Sequence, residues 1–185
     1  MQILIRIVLA LLTPVDDRDV EGLRAFSPTY LTTETAGEHF YWARLASVIH
    51  RQDPYMVLAI AKHESNFKQD AITKEIGGKW SCGVMTPVPT FSKEECSRQT
   101  SSLLAGYLAG AGHLYTWQHA GDVFSPNEAL RGVGGGYRLI RACRKAAVLR
   151  HGTYGDDLCN IGKTFNAMRS QLLASIRRAH RKADI

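Results

Sequence analysis

The sequence lacks any hydrophobic run long enough to cross a bilayer as a helix. Its most apolar segment, residues 2–12, contains only Gln2 and Arg6 as polar residues and is too short for a span. The segment is typical of a signal-peptide core, although its charged start is weak and no A-x-A cleavage site follows. An ordered N-terminal helix or strand is the alternative interpretation. We therefore expect no stable membrane span.

Cysteine is also scarce, and no two cysteines form a C-x-x-C pair. This spacing is poor for a structural zinc site. If the protein works outside the cytosol, the simplest prediction is two short-range disulfides. Buried free thiols in a cytosolic protein are the alternative. The predicted pairs are Cys82–Cys96 and Cys143–Cys159.

Three motifs for metal or nucleotide sites are each incomplete. The stretch AKHESNF, residues 61–67, begins like H-E-x-x-H, but Phe67 occupies the place of the second metal-binding His. IGKT at 161–164 ends like a P-loop, but Asp157 replaces the required first glycine. The run GVGGG has no preceding strand and no G-x-G-x-x-G spacing. The sequence therefore predicts no metal and no cofactor.

Composition and charge are those of one globular domain with an anionic partner. The chain has 185 residues, of which 45% are hydrophobic and 22% are charged. Its formal net charge of +6 favours nucleic acid, an anionic membrane surface or an acidic cell-wall polymer. The basic residues are scattered and no nucleic-acid reader motif is present, so we expect no nucleic-acid partner.

Helical patterns dominate the first half of the chain. Residues 1–36 are expected to form a lead-in, irregular from residue 13 and containing the possible signal or anchor segment, before a domain at 37–185. A helix is predicted from near Glu38. Asp53 as N-cap and Pro54 at the first helical position predict the next helix, which continues through YMVLAIAKHES. Glu64 would then lie near the C-terminal end of that helix.

The second half is predicted to hold a loop or short hairpin followed by helices. Residues 76–90, IGGKWSCGVMTPVPT, have the glycines and prolines of a loop that could fold over a cleft. A long helix is expected at 94–119, with one face formed by Leu103, Tyr107, Ala111 and Leu114. A capping box at 125–128 predicts a helix that stops at the glycines 132–136. Further helices are expected at 137–150 and 161–182.

Glu64 is the candidate functional residue on the predicted apolar helix. It follows Ala61, Ile60 and Val57 by three, four and seven residues, so its side chain shares their apolar stripe. Burial beside apolar groups raises the pKa of a carboxyl group and lets it act as a general acid. The alternative is a surface ion pair with Lys68 at spacing i, i+4.

Two sequence blocks around Glu64 resemble the signature of lytic transglycosylases and goose-type lysozymes. Their first motif, E-S-x-F-x-x-x-A, is matched by Glu64, Ser65, Phe67 and Ala71. Their second, G-L-M-Q, is similar to residues 83–86, where Thr86 stands in place of Gln. Their third, A-x-x-Y-N-A-G, is matched weakly by ALRGVGGG, which lacks the Tyr and the Asn. Tyr137 or Tyr107 are candidates to replace that tyrosine.

The resemblance implies a mainly α, lysozyme-like single domain with a small loop or hairpin lobe over a cleft for peptidoglycan glycan strands. Glu64 would cleave the bond between N-acetylmuramic acid and N-acetylglucosamine and give 1,6-anhydro products without a cofactor. It also implies an extracytoplasmic or virion-associated location, with possible virion or secretion-system partners. The implied substrate-binding residues are Ser65, Phe67, Gly83, Val84, Met85, Thr86, Gly134 and Tyr137.

Two other functions fit the same fold. A lysozyme-type hydrolase would use water, activated by a second carboxylate for which Asp70 and Glu75 are the candidates. A non-catalytic wall-binding or virion structural protein would keep the fold without the chemistry.

Overall fold

The computed structural model describes residues 2–27, 29–74, 79–86, 92–119, 128–130, 139–144 and 159–183. These residues are mainly helical, which confirms the predicted mainly α class. Two short strands, β1 (Ile72–Lys74) and β2 (Trp80–Cys82), pair antiparallel with Ile72 opposite Cys82. The longer helices are α1 (Gln2–Leu12), α2 (Asp17–Phe26), α3 (Thr33–His50), α4 (Pro54–Ser65), α5 (Lys93–Gln99), α6 (Leu103–His119) and α7 (Ile161–Ala183).

The N-terminal third is more ordered than the sequence predicted. An irregular segment was expected from residue 13, but α2 begins after Asp16, whose side chain accepts a hydrogen bond from the Arg18 N–H. Val20 and Leu23 are buried, and they belong to the same core cluster as residues of α7. The expectation of an irregular lead-in is therefore wrong for residues 17–26, because a cap and an apolar stripe make this segment a core helix.

Helix α2 packs closely on α7 through one glycine. A Cβ atom at Gly22 would lie 2.5 Å from the Cα of Ile176, a distance that no side chain tolerates. Helix α3 also begins earlier than predicted, at Thr33 instead of near Glu38. The Thr32 side chain accepts from the Thr35 N–H and caps this end.

Helix α4 begins where the sequence predicted. Asp53 accepts a hydrogen bond from the Tyr55 N–H, and Pro54 occupies the first turn. The Asp53 carboxylate also pairs with Arg169, which joins the start of α4 to α7. Buried residues cover most of the helix, which explains why its sequence is apolar on every side: Val57, Leu58, Ala59, Ile60 and Ala61.

The predicted long helix at 94–119 is two helices, α5 and α6. At the break, the Cys96 carbonyl accepts from both the N–H and the hydroxyl of Thr100, and the Ser102 hydroxyl accepts from the Ala105 N–H and caps the start of α6. The predicted buried face of α6 is confirmed at Leu103, Tyr107, Ala111 and Leu114.

Both predicted disulfides are present. Cys82 of β2 bonds to Cys96 of α5, and Cys143 bonds to Cys159 just before α7. The free-thiol alternative is therefore wrong. Two structural disulfides indicate an oxidising compartment. The capping box at 125–128 and the glycine stop at 132–136 lie almost wholly outside the described residues.

Helix α1 forms where the sequence allowed a helix or a signal core, and Ala10 is its buried residue. Among the described residues, no helix combines the length and apolar character that crossing a membrane requires.

Candidate active site around Glu64

Glu64 lies in the last turn of α4 with its carboxyl group largely enclosed. Its side chain is 18% exposed. Thr86 Oγ1 donates a hydrogen bond to Glu64 Oε2 at 3.2 Å, and His63 Nδ1 lies 3.2 Å from Glu64 Oε1. Within the described part of the chain, no ion pair joins Glu64 to Lys68, so the alternative of a surface ion pair is wrong.

The chain turns sharply after Glu64 because two non-glycine residues adopt left-handed backbone conformations. Asn66 has φ 55° and Phe67 has φ 67°. Bulky residues rarely adopt such angles, and residues with these uncommon backbone conformations are concentrated at functional sites. The Phe67 side chain is 2% exposed and packs edge-on against His39, with ring centroids 5.2 Å apart. Tyr30 anchors the same turn by donating its hydroxyl hydrogen to the Asn66 carbonyl.

The second sequence block forms a turn that faces the end of α4. Gly83 has φ 84°, which favours glycine, and its N–H donates to the Ala71 carbonyl. The Thr86 N–H donates to the Gly83 carbonyl at 3.1 Å. The Ser65 hydroxyl lies 2.5 Å from the Val84 carbonyl oxygen, to which it donates. The first and second blocks, which are separate in sequence, are thus in direct contact.

Two glycines of α6 allow this turn to sit close to the helix. A Cβ atom at Gly106 would lie 3.1 Å from Val84 Cγ1, and one at Gly110 would lie 2.4 Å from Met85 Cβ. The G-x-x-x-G spacing in GYLAG is the sequence signal for this close approach, and sequence reasoning did not use it.

A buried polar pair lies behind Phe67. His39 Nδ1 and the Tyr107 hydroxyl are 2.8 Å apart, and both residues are almost fully buried. Burial lowers the pKa of His39 to about 4 and raises the pKa of Tyr107. The Tyr107 hydroxyl is thus already paired with His39. Tyr107 was one candidate to replace the tyrosine of the third motif in the resembled family.

The predicted substrate-binding residues divide into buried and partly exposed side chains. Ser65, Phe67, Val84 and Met85 are buried, so their side chains support the turn that carries Thr86. The Thr86 side chain is half-buried and faces Glu64. Asp70 is exposed in the turn after α4. Glu75, Gly134 and Tyr137 lie outside the described residues.

His63 is the neighbour that sequence reasoning left without a role. Its ring packs edge-on against Phe165 of α7, with centroids 5.0 Å apart, which holds Nδ1 beside the carboxyl group. Its position directly before Glu64 was visible in the sequence, but the contact depends on α7. No group of three or more metal-ligating side chains occurs among the described residues.

The arrangement can exchange a proton with a bound molecule. A carboxyl group held by one hydroxyl donor and one imidazole keeps a fixed orientation, which general acid–base catalysis needs.

No protein-family model matches the sequence, and searches of curated proteins and of solved structures find no significant similarity.

Proposed function

We propose that the protein is a peptidoglycan lytic transglycosylase in which Glu64 is the catalytic acid and base. The observation that carries the proposal is the hydrogen bond from Thr86 to Glu64. It joins the two sequence blocks that resemble the family signature, at the one carboxyl group that the resemblance makes catalytic. The two disulfides agree with a protein that acts on the cell wall from an oxidising compartment.

In the first step the protonated Glu64 carboxyl group gives its proton to the glycosidic oxygen. The bond between that oxygen and C1 of N-acetylmuramic acid breaks, and positive charge develops at C1. The N-acetylglucosamine portion leaves with a new hydroxyl group. Hydrogen bonds that fix the carboxyl group, here from Thr86 and near His63, keep its proton directed at the bond.

In the second step the Glu64 carboxylate takes the proton from the C6 hydroxyl of the same muramic acid. The C6 oxygen bonds to C1 and closes the 1,6-anhydro ring, which returns the enzyme to its starting protonation state. An internal hydroxyl has a high effective concentration, so this route needs no second carboxylate to order a water.

Lysozyme-type hydrolysis is the alternative on the same fold. It would use water and a base, for which Asp70 and Glu75 are the sequence candidates. Asp70 is exposed in the turn after α4, where little holds it in place. Mass spectrometry of digested peptidoglycan separates the two reactions. Anhydro products one water lighter than reducing ends support the transglycosylase, and reducing ends alone support the hydrolase.

The test of the proposal is zymography on purified peptidoglycan with the Glu64→Gln variant. This change removes the acid and alters the shape little, so lytic activity should fall on the order of 10²–10⁴-fold. Glu21→Gln is the matched control, because Glu21 is exposed on α2. Wild-type activity in Glu64→Gln would remove Glu64 from the mechanism. No lysis by the wild-type protein, with intact wall binding, would support the non-catalytic alternative.

A further inference from the structure

Helix α1 presents an apolar face to solvent. Ala10 is buried on the opposite side, where α1 meets α3. Five exposed apolar residues follow the spacing of one helical face, and two more, Ile3 and Leu9, lie to either side of it. The five are Leu4, Ile5, Val8, Leu11 and Leu12.

Two adjoining cavities lie beside this helix and are lined by arginines. The larger, of about 550 Å³, lies between α1 and α3 and includes Arg6, Arg44 and Arg51. The smaller, of about 420 Å³, shares Arg6 and Arg51 with it. Neither cavity has Asp or Glu among its described lining residues. The combined site is therefore strongly cationic, and we call it the arginine cavity.

Two polar atoms in the wall of the arginine cavity have no hydrogen-bond partner within the described part of the chain. Among the described residues, Ser47 Oγ and Arg44 Nε are buried without one, and Ser47 is 2% exposed. The other Arg44 nitrogens donate to the Ala10 and Pro14 carbonyls at the end of α1, which fixes the guanidinium beside the cavity. Both unpaired atoms are closed off from the cavity, so the charged groups that a ligand in the cavity would meet are the exposed Arg6 and Arg51 guanidinium groups.

We propose that α1 and the arginine cavity together dock the protein onto the surface of an anionic phospholipid bilayer. The phosphate group of a lipid enters the cavity and accepts hydrogen bonds from Arg6 and Arg51. The apolar face of α1 lies at the boundary with the acyl chains, as interfacial helices do. The two features are continuous, since Arg6 and Leu9 belong to α1 and also line the cavity.

A bilayer is favoured over free phosphate because one ligand must contact both the apolar face of α1 and the arginines. Inorganic phosphate would use the arginines and leave the face of α1 in water. An anionic bilayer satisfies both, since it offers phosphate oxygens, negative surface potential and an apolar layer. The proposal does not depend on Glu64.

The experiment is cosedimentation of the full chain with vesicles of phosphatidylcholine alone or mixed with phosphatidylglycerol. The wild-type protein should prefer the anionic vesicles and bind less tightly as salt increases. The double variant Arg6→Gln/Arg51→Gln should lose roughly tenfold or more of its partition into them. The variant Leu4→Ser/Val8→Ser should lose binding to both kinds of vesicle.

The matched control is Arg178→Gln/Lys182→Gln, which removes the same charge from exposed positions on α7 that do not line the cavity. It should bind like the wild type. Circular dichroism melts establish that each variant is folded. An equal loss in the control, or no vesicle binding by the wild type, would overturn the proposal. Arginine-dependent binding of inorganic phosphate without vesicle binding would also overturn it.

Discussion

Thr86 and Glu64 are 22 residues apart in the sequence, and their side chains meet at 3.2 Å at the end of α4. The contact is held from both sides. On one side, the Ser65 hydroxyl donates a hydrogen bond to the Val84 carbonyl. On the other side, the Met85 side chain packs against Gly110 of α6. The orientation of the Glu64 carboxyl group therefore depends on how the turn at 83–86 packs.

Replacing Thr86 with Val should lower the rate of peptidoglycan cleavage about tenfold. Val keeps the β-branched shape at this position, where φ is 33°, so the loss isolates the hydroxyl group. A hydrogen bond to the protonated carboxyl group contributes roughly 0.5–1.5 kcal/mol, and the upper end of this range corresponds to about tenfold in rate. Turbidity loss of purified peptidoglycan suspensions measures the effect.

Two further variants test whether the loss of activity comes from the Thr86 hydroxyl group. Thr116→Val removes a hydroxyl that binds the Gly112 carbonyl on α6 and should leave the rate unchanged. Thr86→Gln introduces the residue usual in the resembled family and restores a donor, so it should recover activity lost in Thr86→Val. Equal rates for Thr86→Val and wild type would mean that the hydroxyl does not position Glu64.

Signals that act over a short stretch of sequence predicted parts of the fold. Asp53 and Pro54 set the start of α4, and the Cys82–Cys96 pair was read from its short separation. The break between α5 and α6 was missed, although the run Thr100-Ser101-Ser102 before the apolar Leu103 is a sequence signal for the start of a helix.

The sequence also carried signals for the candidate site. Glu64 could be named from its place on the apolar helix, and its motif partners from the resemblance to the family signature. The contacts of Thr86 and His63 with the carboxyl group depend on tertiary packing, in the first case on the glycines of α6 and in the second on Phe165. The G-x-x-x-G spacing of Gly106 and Gly110 indicated a close approach to α6, but it did not say which segment would pack there.

Removing the Cys82–Cys96 disulfide should reduce both stability and activity. The loops closed by the two disulfides are similar, at 14 and 16 residues of separation, so each should stabilise the fold by about 3 kcal/mol. Cys82 also ends β2 directly before the turn at 83–86. The variant Cys82→Ser/Cys96→Ser should therefore cleave peptidoglycan more slowly even at temperatures where it remains folded.

The Cys143→Ser/Cys159→Ser variant is the matched comparison. It should lose similar stability in urea melts and keep near wild-type activity while folded. If both variants lost activity equally at matched folded fractions, the Cys82–Cys96 disulfide would have no specific effect on the turn at 83–86.

Burial of His39 should make the protein less stable in acid. Its pKa is about 4 in the folded chain, below the ordinary value of 6.5, so the unfolded chain binds more protons between these values. The stability is fully present above pH 6.5 and decreases as the pH falls toward 4. The loss from this one group is up to about 3 kcal/mol, measured as the free energy of unfolding in urea.

The His39→Gln variant tests the assignment through the slope of stability against pH. Its stability at neutral pH should be lower, because the Phe67 and Tyr107 contacts change. Its slope between pH 6.5 and 4 should be shallower than that of the wild type. Some slope should remain, since burial also lowers the pKa values of His50 and His113. An unchanged slope would exclude His39 as a contributor.

Gly110→Ala should destabilise the fold and reduce activity together. The new Cβ would lie 2.4 Å from Met85 Cβ, which cannot move without shifting the turn that carries Thr86. Overpacking of this kind costs about 1–3 kcal/mol, against a gain of roughly 1 kcal/mol in helix propensity. Gly37→Ala in α3 is the control, because its nearest neighbour would be 3.9 Å away, and it should stabilise the protein without changing the rate. If Gly110→Ala were as stable and active as Gly37→Ala, close packing of Met85 on α6 would not position the site.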